Sequence, residues 1–160
     1  MSNSSLKHLK NHPMNRLVLE YLWDPKRPHF SSELIVGPDE HDDPYREAGA
    51  HPDVVERVWN ALGESLPADC RALVYGTPAL VHPDASVVFA LATGTAYRIR
   101  VPVDTIDEAI KCGCQIERAW TTGGKTNIEN ELGRGWVFGY WLDEESQWLA
   151  RVYQDLMNHT

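Results

Sequence analysis

Between Cys70 and Val101 the chain carries four apolar, β-branched or aromatic runs: CRALVY, ALVH, SVVFALA and TAYRIRV. Gly76-Thr-Pro78, Pro83-Asp84 and Gly94 punctuate them. Breaks this short leave no room for a crossover helix, so successive strands must turn back on one another as an antiparallel meander. Ser86–Ala92 is apolar on both faces, as expected of a central strand. Thr95–Val101 alternates instead, which predicts Tyr97, Ile99 and Val101 towards the core and Arg98 and Arg100 outward on an exposed sheet face.

Helical periodicity flanks the meander. Pro52 and Asp53 suit the first turn of a helix, and Val54, Val55, Val58, Trp59, Leu62 and Leu66 share one face until Pro67 stops it. Thr105 and Glu108 fit a capping box ahead of Ile106, Ala109 and Ile110, with Gly113 as the stop. A last helix is expected after Asp143, with Glu144 and Glu145 in its first turn and a stripe of Trp148, Leu149, Val152, Tyr153 and Leu156. Arg16–Trp23 fits a helix, with Leu17 and Tyr21 and also Val18 and Leu22 facing inward, better than the buried strand that is its alternative, Glu33–Val36 a short strand, and Gln115–Trp120 and Trp136–Trp141 further strands. The expected fold is α+β: one domain over residues 1–160, with helices on a largely antiparallel sheet built from about 70–101 plus strands near 115–120 and 135–141. Residues 1–12 are polar and expected to fray.

The net charge of −8 repels a phosphate backbone, so the chain is not expected to bind nucleic acid, while a basic protein partner suits it. No apolar run approaches the ~20 residues of a membrane span, and MSNSSLKHLKNH lacks the apolar core of a secretory signal. Three cysteines, Cys70, Cys112 and Cys114, cannot all pair within one chain, which fits a reducing, cytoplasmic setting.

AWTTGGKT, Ala119–Thr126, matches the phosphate-loop pattern [AG]-x-x-x-x-G-K-[ST]. A working loop of that kind passes from a strand directly into a helix whose N-terminus binds phosphate. Here only Asn127–Leu132 follows, short, polar and ended by Gly133, so a Gly-rich hairpin is the better reading of 119–126. Cys112-Gly-Cys114 lacks the spacing and ligand number of a zinc site and reads as small buried apolar residues.

The acidic stretch 39–53 is the metal candidate, with His41, Asp43 and His51 as ligands. It departs from an EF-hand, because counting from Asp39 puts Pro44 and Ala50 at the sixth and twelfth positions. A solvated acidic turn is the simpler reading. A divalent-metal hydrolase using that loop or His82, with Asp84 and Ser86 nearby, is the enzymatic alternative. No coherent catalytic constellation emerges, however, and no cofactor is called for. The aromatic strand puts Trp136, Phe138 and Tyr140 on one face and Val137, Gly139 and Trp141 on the other; if the first face packs under the terminal helix, Trp141 sits at the strand end, near the surface. Trp136, Tyr140 and Trp141, with Arg98 and Arg100, are the candidate binding residues, for an anion or a protein partner. The leading expectation is a small acidic cytoplasmic binding module, non-catalytic, of inhibitor, adaptor or immunity type. Self-association through an exposed strand or aromatic patch is compatible with it.

Overall fold

The computed structural model describes residues 9–26, 30–36, 52–56, 58–59, 66, 70–82, 84–93, 96–120, 124–139 and 145–158. In chain order the elements are α1 (Arg16–Leu22), β1 (Ile35–Val36), α2 (Pro52–Glu56), β2 (Arg71–Val74), β3 (Thr77–His82), β4 (Val87–Thr93) and β5 (Ala96–Arg100). There follow α3 (Ile106–Lys111), β6 (Glu117–Trp120), β7 (Gly124–Asn127), α4 (Ile128–Leu132), β8 (Trp136–Gly139) and α5 (Glu145–Asn158). Short 3₁₀ turns at Leu9–Asn11 and Pro13–Asn15 precede α1, and a third, Val103–Thr105, precedes α3.

The expected α+β architecture is present. β1 to β5 and β8 form one six-stranded sheet in the order β1-β2-β3-β4-β5-β8, every pair antiparallel. The first turn of the meander lies one residue earlier than the composition suggested. Tyr75 and Gly76 have φ of 48° and 85°, the two left-handed positions of a two-residue hairpin, and Thr77 and Pro78 open β3. Pro78 is tolerated there because the ladder between β3 and β4 begins only at Ala79.

β4 lies inside the sheet and is buried almost throughout. Its pairing with β3 steps from Leu80↔Ala90 to Val81↔Val88, so Phe89 is the extra residue of a bulge. The bulge puts the consecutive residues Phe89 and Ala90 into the same hydrophobic cluster, while Val88 and Leu91 join the other.

Both faces of the sheet are covered. On one, Leu73, Phe89, Tyr97, Ile99 and Val137 pack with α2, with Ala109 of α3 and with the Trp148, Leu149, Val152 and Leu156 stripe of α5. On the other, Val74, Val81, Leu91, Trp136 and Phe138 pack with Leu9, with Val18, Leu19 and Leu22 of α1, and with Ile128 and Leu132 of α4. Two expectations are thereby corrected. Trp136 and Phe138 lie under α1 and α4, and it is Val137 that lies under the terminal helix. Leu9 is fully buried, so within 1–12 the described residues 9–12 are docked rather than frayed.

The expected capping box at Thr105 does not form. A 3₁₀ turn leads into α3, Thr105 takes helical dihedrals, and its side chain makes no cap hydrogen bond. The hydroxyl instead accepts from Arg151 Nη1 at 3.3 Å. Gly113 does end the helix, at φ 115°. Gly139 permits one close approach, since a Cβ there would lie 2.8 Å from the Tyr97 hydroxyl.

Candidate functional site

β5 delivers Arg98 and Arg100 to the face opposite Tyr97 and Ile99, as the alternation requires, but not to solvent: Arg98 is 4% and Arg100 7% exposed. The reading of an exposed arginine face is therefore overturned, because residues 9–22 cover it. Arg98 Nη2 donates to the Tyr21 hydroxyl at 3.1 Å, and its guanidinium carbon lies 5.6 Å from the Tyr21 ring centroid and 6.0 Å from that of Phe138. Arg100 Nε donates to the Val88 carbonyl beside the bulge at 2.9 Å, and Nη2 to the Met14 carbonyl at 2.6 Å. Its guanidinium carbon lies 4.9 Å from the Trp136 ring centroid. Arginine tolerates this setting because it is weakly hydrated and stacks on aromatic faces. Burial still disfavours the charge, pulling the Arg100 guanidinium down from its ordinary value to about 10.

Asn15 fixes the covering layer. Fully buried, its Nδ2 donates to the Leu9 carbonyl at 2.8 Å and the Ser86 carbonyl at 2.7 Å, while its Oδ1 accepts from the Val88 amide at 2.9 Å. His12 caps the turn before it, accepting the Met14 amide at Nδ1. Partial burial, and then the Arg100 charge, hold the His12 pKa below its ordinary value.

Arg100 lines a cleft of about 360 Å³ whose other walls include Met14, Val103, Arg134, Val152 and Leu156. A neighbouring hollow of about 250 Å³ shares Met14, Arg100 and Arg134 and adds Arg16 and Leu17. Arg134 sits between Gly133 and Gly135, at φ 112° and 97°, in the turn that joins α4 to β8. The Gly135 carbonyl accepts the Val101 amide at 2.8 Å, which ties that turn to the end of β5.

A second surface feature stands at the end of α1. Trp23 is 50% exposed, yet its ring is braced edge-on by Phe30 and by Tyr75, each with centroids 5.0 Å away. A hollow of about 380 Å³ beside it is lined by Lys10, Arg16, Leu19, Glu20, Trp23 and Tyr75. Composition alone did not single out this trio, because Tyr75 lies far from Trp23 and Phe30 in sequence.

Of the other candidates, Trp136 is fully buried between the sheet and the N-terminal layer and is no surface anchor. Tyr140, Trp141, His41, Asp43 and His51 lie outside the described residues. His82 is fully buried, accepts the Asp84 and Ala85 amides at Nδ1 (3.2 and 2.9 Å) and stacks on Tyr153 with centroids 4.3 Å apart. With that lone pair committed to the turn, the ring braces a hairpin. Cys70 and Cys114 are buried in the α5-side cluster and Cys112 packs against it. Among the described residues no group of three or more His, Cys, Asp or Glu is arranged to hold a metal.

Within 119–126 the described residues pair antiparallel, Ala119 with Lys125 and Trp120 with Gly124. The residues that would open a phosphate-binding helix are thus a strand, and α4 starts only at Ile128, capped by the Asn127 side chain. None of the protein-family models, curated proteins or solved structures compared with the chain matches it.

Proposed function

We propose that the chain is a small, non-catalytic binding module of the cytoplasm that docks a protein partner through Trp23. The observation that supports this is a tryptophan half exposed to water and yet held by two flanking rings. Such a ring presents a large apolar surface while giving up little freedom on binding, the profile of an interface hot spot. The net charge of −8 favours encounter with a basic partner. No described helix is long and apolar enough to cross a membrane, which is compatible with a cytoplasmic setting.

The test is affinity capture from native lysate with the wild-type chain and Trp23→Ala side by side, plus light scattering for self-association. The expected result is a stoichiometric partner that Trp23→Ala fails to retain at an unchanged thermal midpoint. Equal recovery by both chains, or no partner and no self-association, would contradict the proposal.

A further inference from the structure

In a chain of net charge −8, three arginines are gathered along one cleft and its neighbouring hollow: Arg100, Arg134 and Arg16. Arg100, more than nine-tenths buried, is held by two backbone carbonyls and an indole face, with no carboxylate partner among the described residues. Those carbonyls use two of its five N–H groups. Nη1 donates to none of the described residues, and Arg100 lines both hollows. Arg134, exposed on the rim, makes no ion pair with a described residue. Arg16 pairs with Glu20 at 3.5 Å, an exposed i,i+4 contact that another anion can displace. A buried cation without an anion is costly, and an oxyanion seated on the guanidinium edge relieves that cost with paired, charge-assisted hydrogen bonds.

Most of the remaining lining is apolar. Met14 is 42% and Val103 51% exposed, large apolar side chains open to water that line the cleft with Arg100, and Val152 and Leu156 of α5 add to the wall. At about 360 Å³ the cleft is at the small end of the range of roughly 300–1,000 Å³ typical of small-molecule sites. The carboxylate on its described lining, Asp155, is exposed.

We propose that this cleft binds a small organic oxyanion, a carboxylate or phosphate head on a compact apolar body, with the head on Arg100 and Arg134 and the body against Met14, Val103 and Leu156. The chain's overall negative charge disfavours polyanions, and the apolar wall disfavours a bare inorganic ion. This inference does not rest on the protein-binding reading, since Trp23 does not line the cleft.

The test is calorimetric titration of the full chain with four probes. Phenyl phosphate and benzoate carry both parts, inorganic phosphate is a head without a body, and benzyl alcohol is a body without charge. Phenyl phosphate or benzoate should bind saturably at one site, more weakly as sodium chloride rises, and more tightly than either control. The Arg100 Nε–H resonance should shift with the same midpoint. Arg134→Ala should weaken binding by about fivefold, the upper end for an exposed ion pair, at an unchanged thermal midpoint. Asp155→Asn should strengthen it. No saturable binding at low-millimolar probe, or affinity unaltered in Arg134→Ala, would overturn the proposal. So would inorganic phosphate matching phenyl phosphate, which identifies an adventitious ion only.

Discussion

The two faces of the sheet are both buried, but by different means. Towards α5 the contact is mainly apolar, with Phe89, Tyr97, Ile99 and Val137 against Trp148, Leu149 and Val152, and the His82 ring stacked on Tyr153 at its edge. Towards residues 9–22 the apolar contacts of Leu9, Val18, Leu19 and Leu22 surround three buried polar side chains, Asn15, Arg98 and Arg100. Non-directional burial dominates for α5, a helix of 14 residues with a continuous stripe. α1 has only seven residues, too few for a helix to be stable by itself. Its layer is positioned by directional bonds. Asn15 joins Leu9 to Ser86 and Val88, and Arg100 joins Met14 to Val88. A face fixed by polar pegs can also expose charge at its margin, and the arginine cleft is found there.

Substitutions that remove one means at a time break this comparison. The largest effect is expected from Leu149→Ala on the apolar side, a loss of about 2–5 kcal/mol in urea unfolding with an unchanged slope. Asn15→Ala should cost about 2–3 kcal/mol, because it strands the Leu9 and Ser86 carbonyls and the Val88 amide. A loss well under ~1 kcal/mol would mean that the pegs are incidental.

The smallest effect is a pH dependence. Burial and then Arg100 lower the folded His12 pKa, so the unfolded chain takes up the proton first. Stability should fall as pH drops below the ordinary value of 6.5, and the loss should be complete below the folded value. Protonation also removes the Nδ1 acceptor for the Met14 amide. Thermal midpoints of wild type and His12→Asn across the histidine range isolate this contribution, and parallel profiles would exclude it.

Much of the architecture could be read from the chain. The meander, the two-sided burial of β4, the stripe of α5 and the short helix after the Gly-rich hairpin all rest on local periodicity and turn chemistry. What escaped was the second cover. Arg98 and Arg100 look like markers of solvent, since charge normally is. Their acceptors are a tyrosine hydroxyl and two carbonyls, two of these contributed by residues 77 and 86 positions away, and carbonyls leave no trace in the identity of side chains. The available clue was β4 itself: a central strand apolar on both faces needs a layer on each, and the helix over 16–22 supplies one, with Val18, Leu19 and Leu22 inward where Leu17 was expected. The Trp23, Phe30 and Tyr75 cluster was hidden for the same reason, being assembled by the hairpin at Tyr75–Gly76. The capping box failed where a competing 3₁₀ turn took its place.

Native-state hydrogen exchange tests the central claim most directly, that residues 9–22 are an integral layer pegged to the sheet. Amides of α1 and the Val88 amide, which donates to Asn15, should open only with the same free energy as the rest of β4. Exchange of α1 at the rate of an unstructured peptide, while β4 stays protected, would contradict the account.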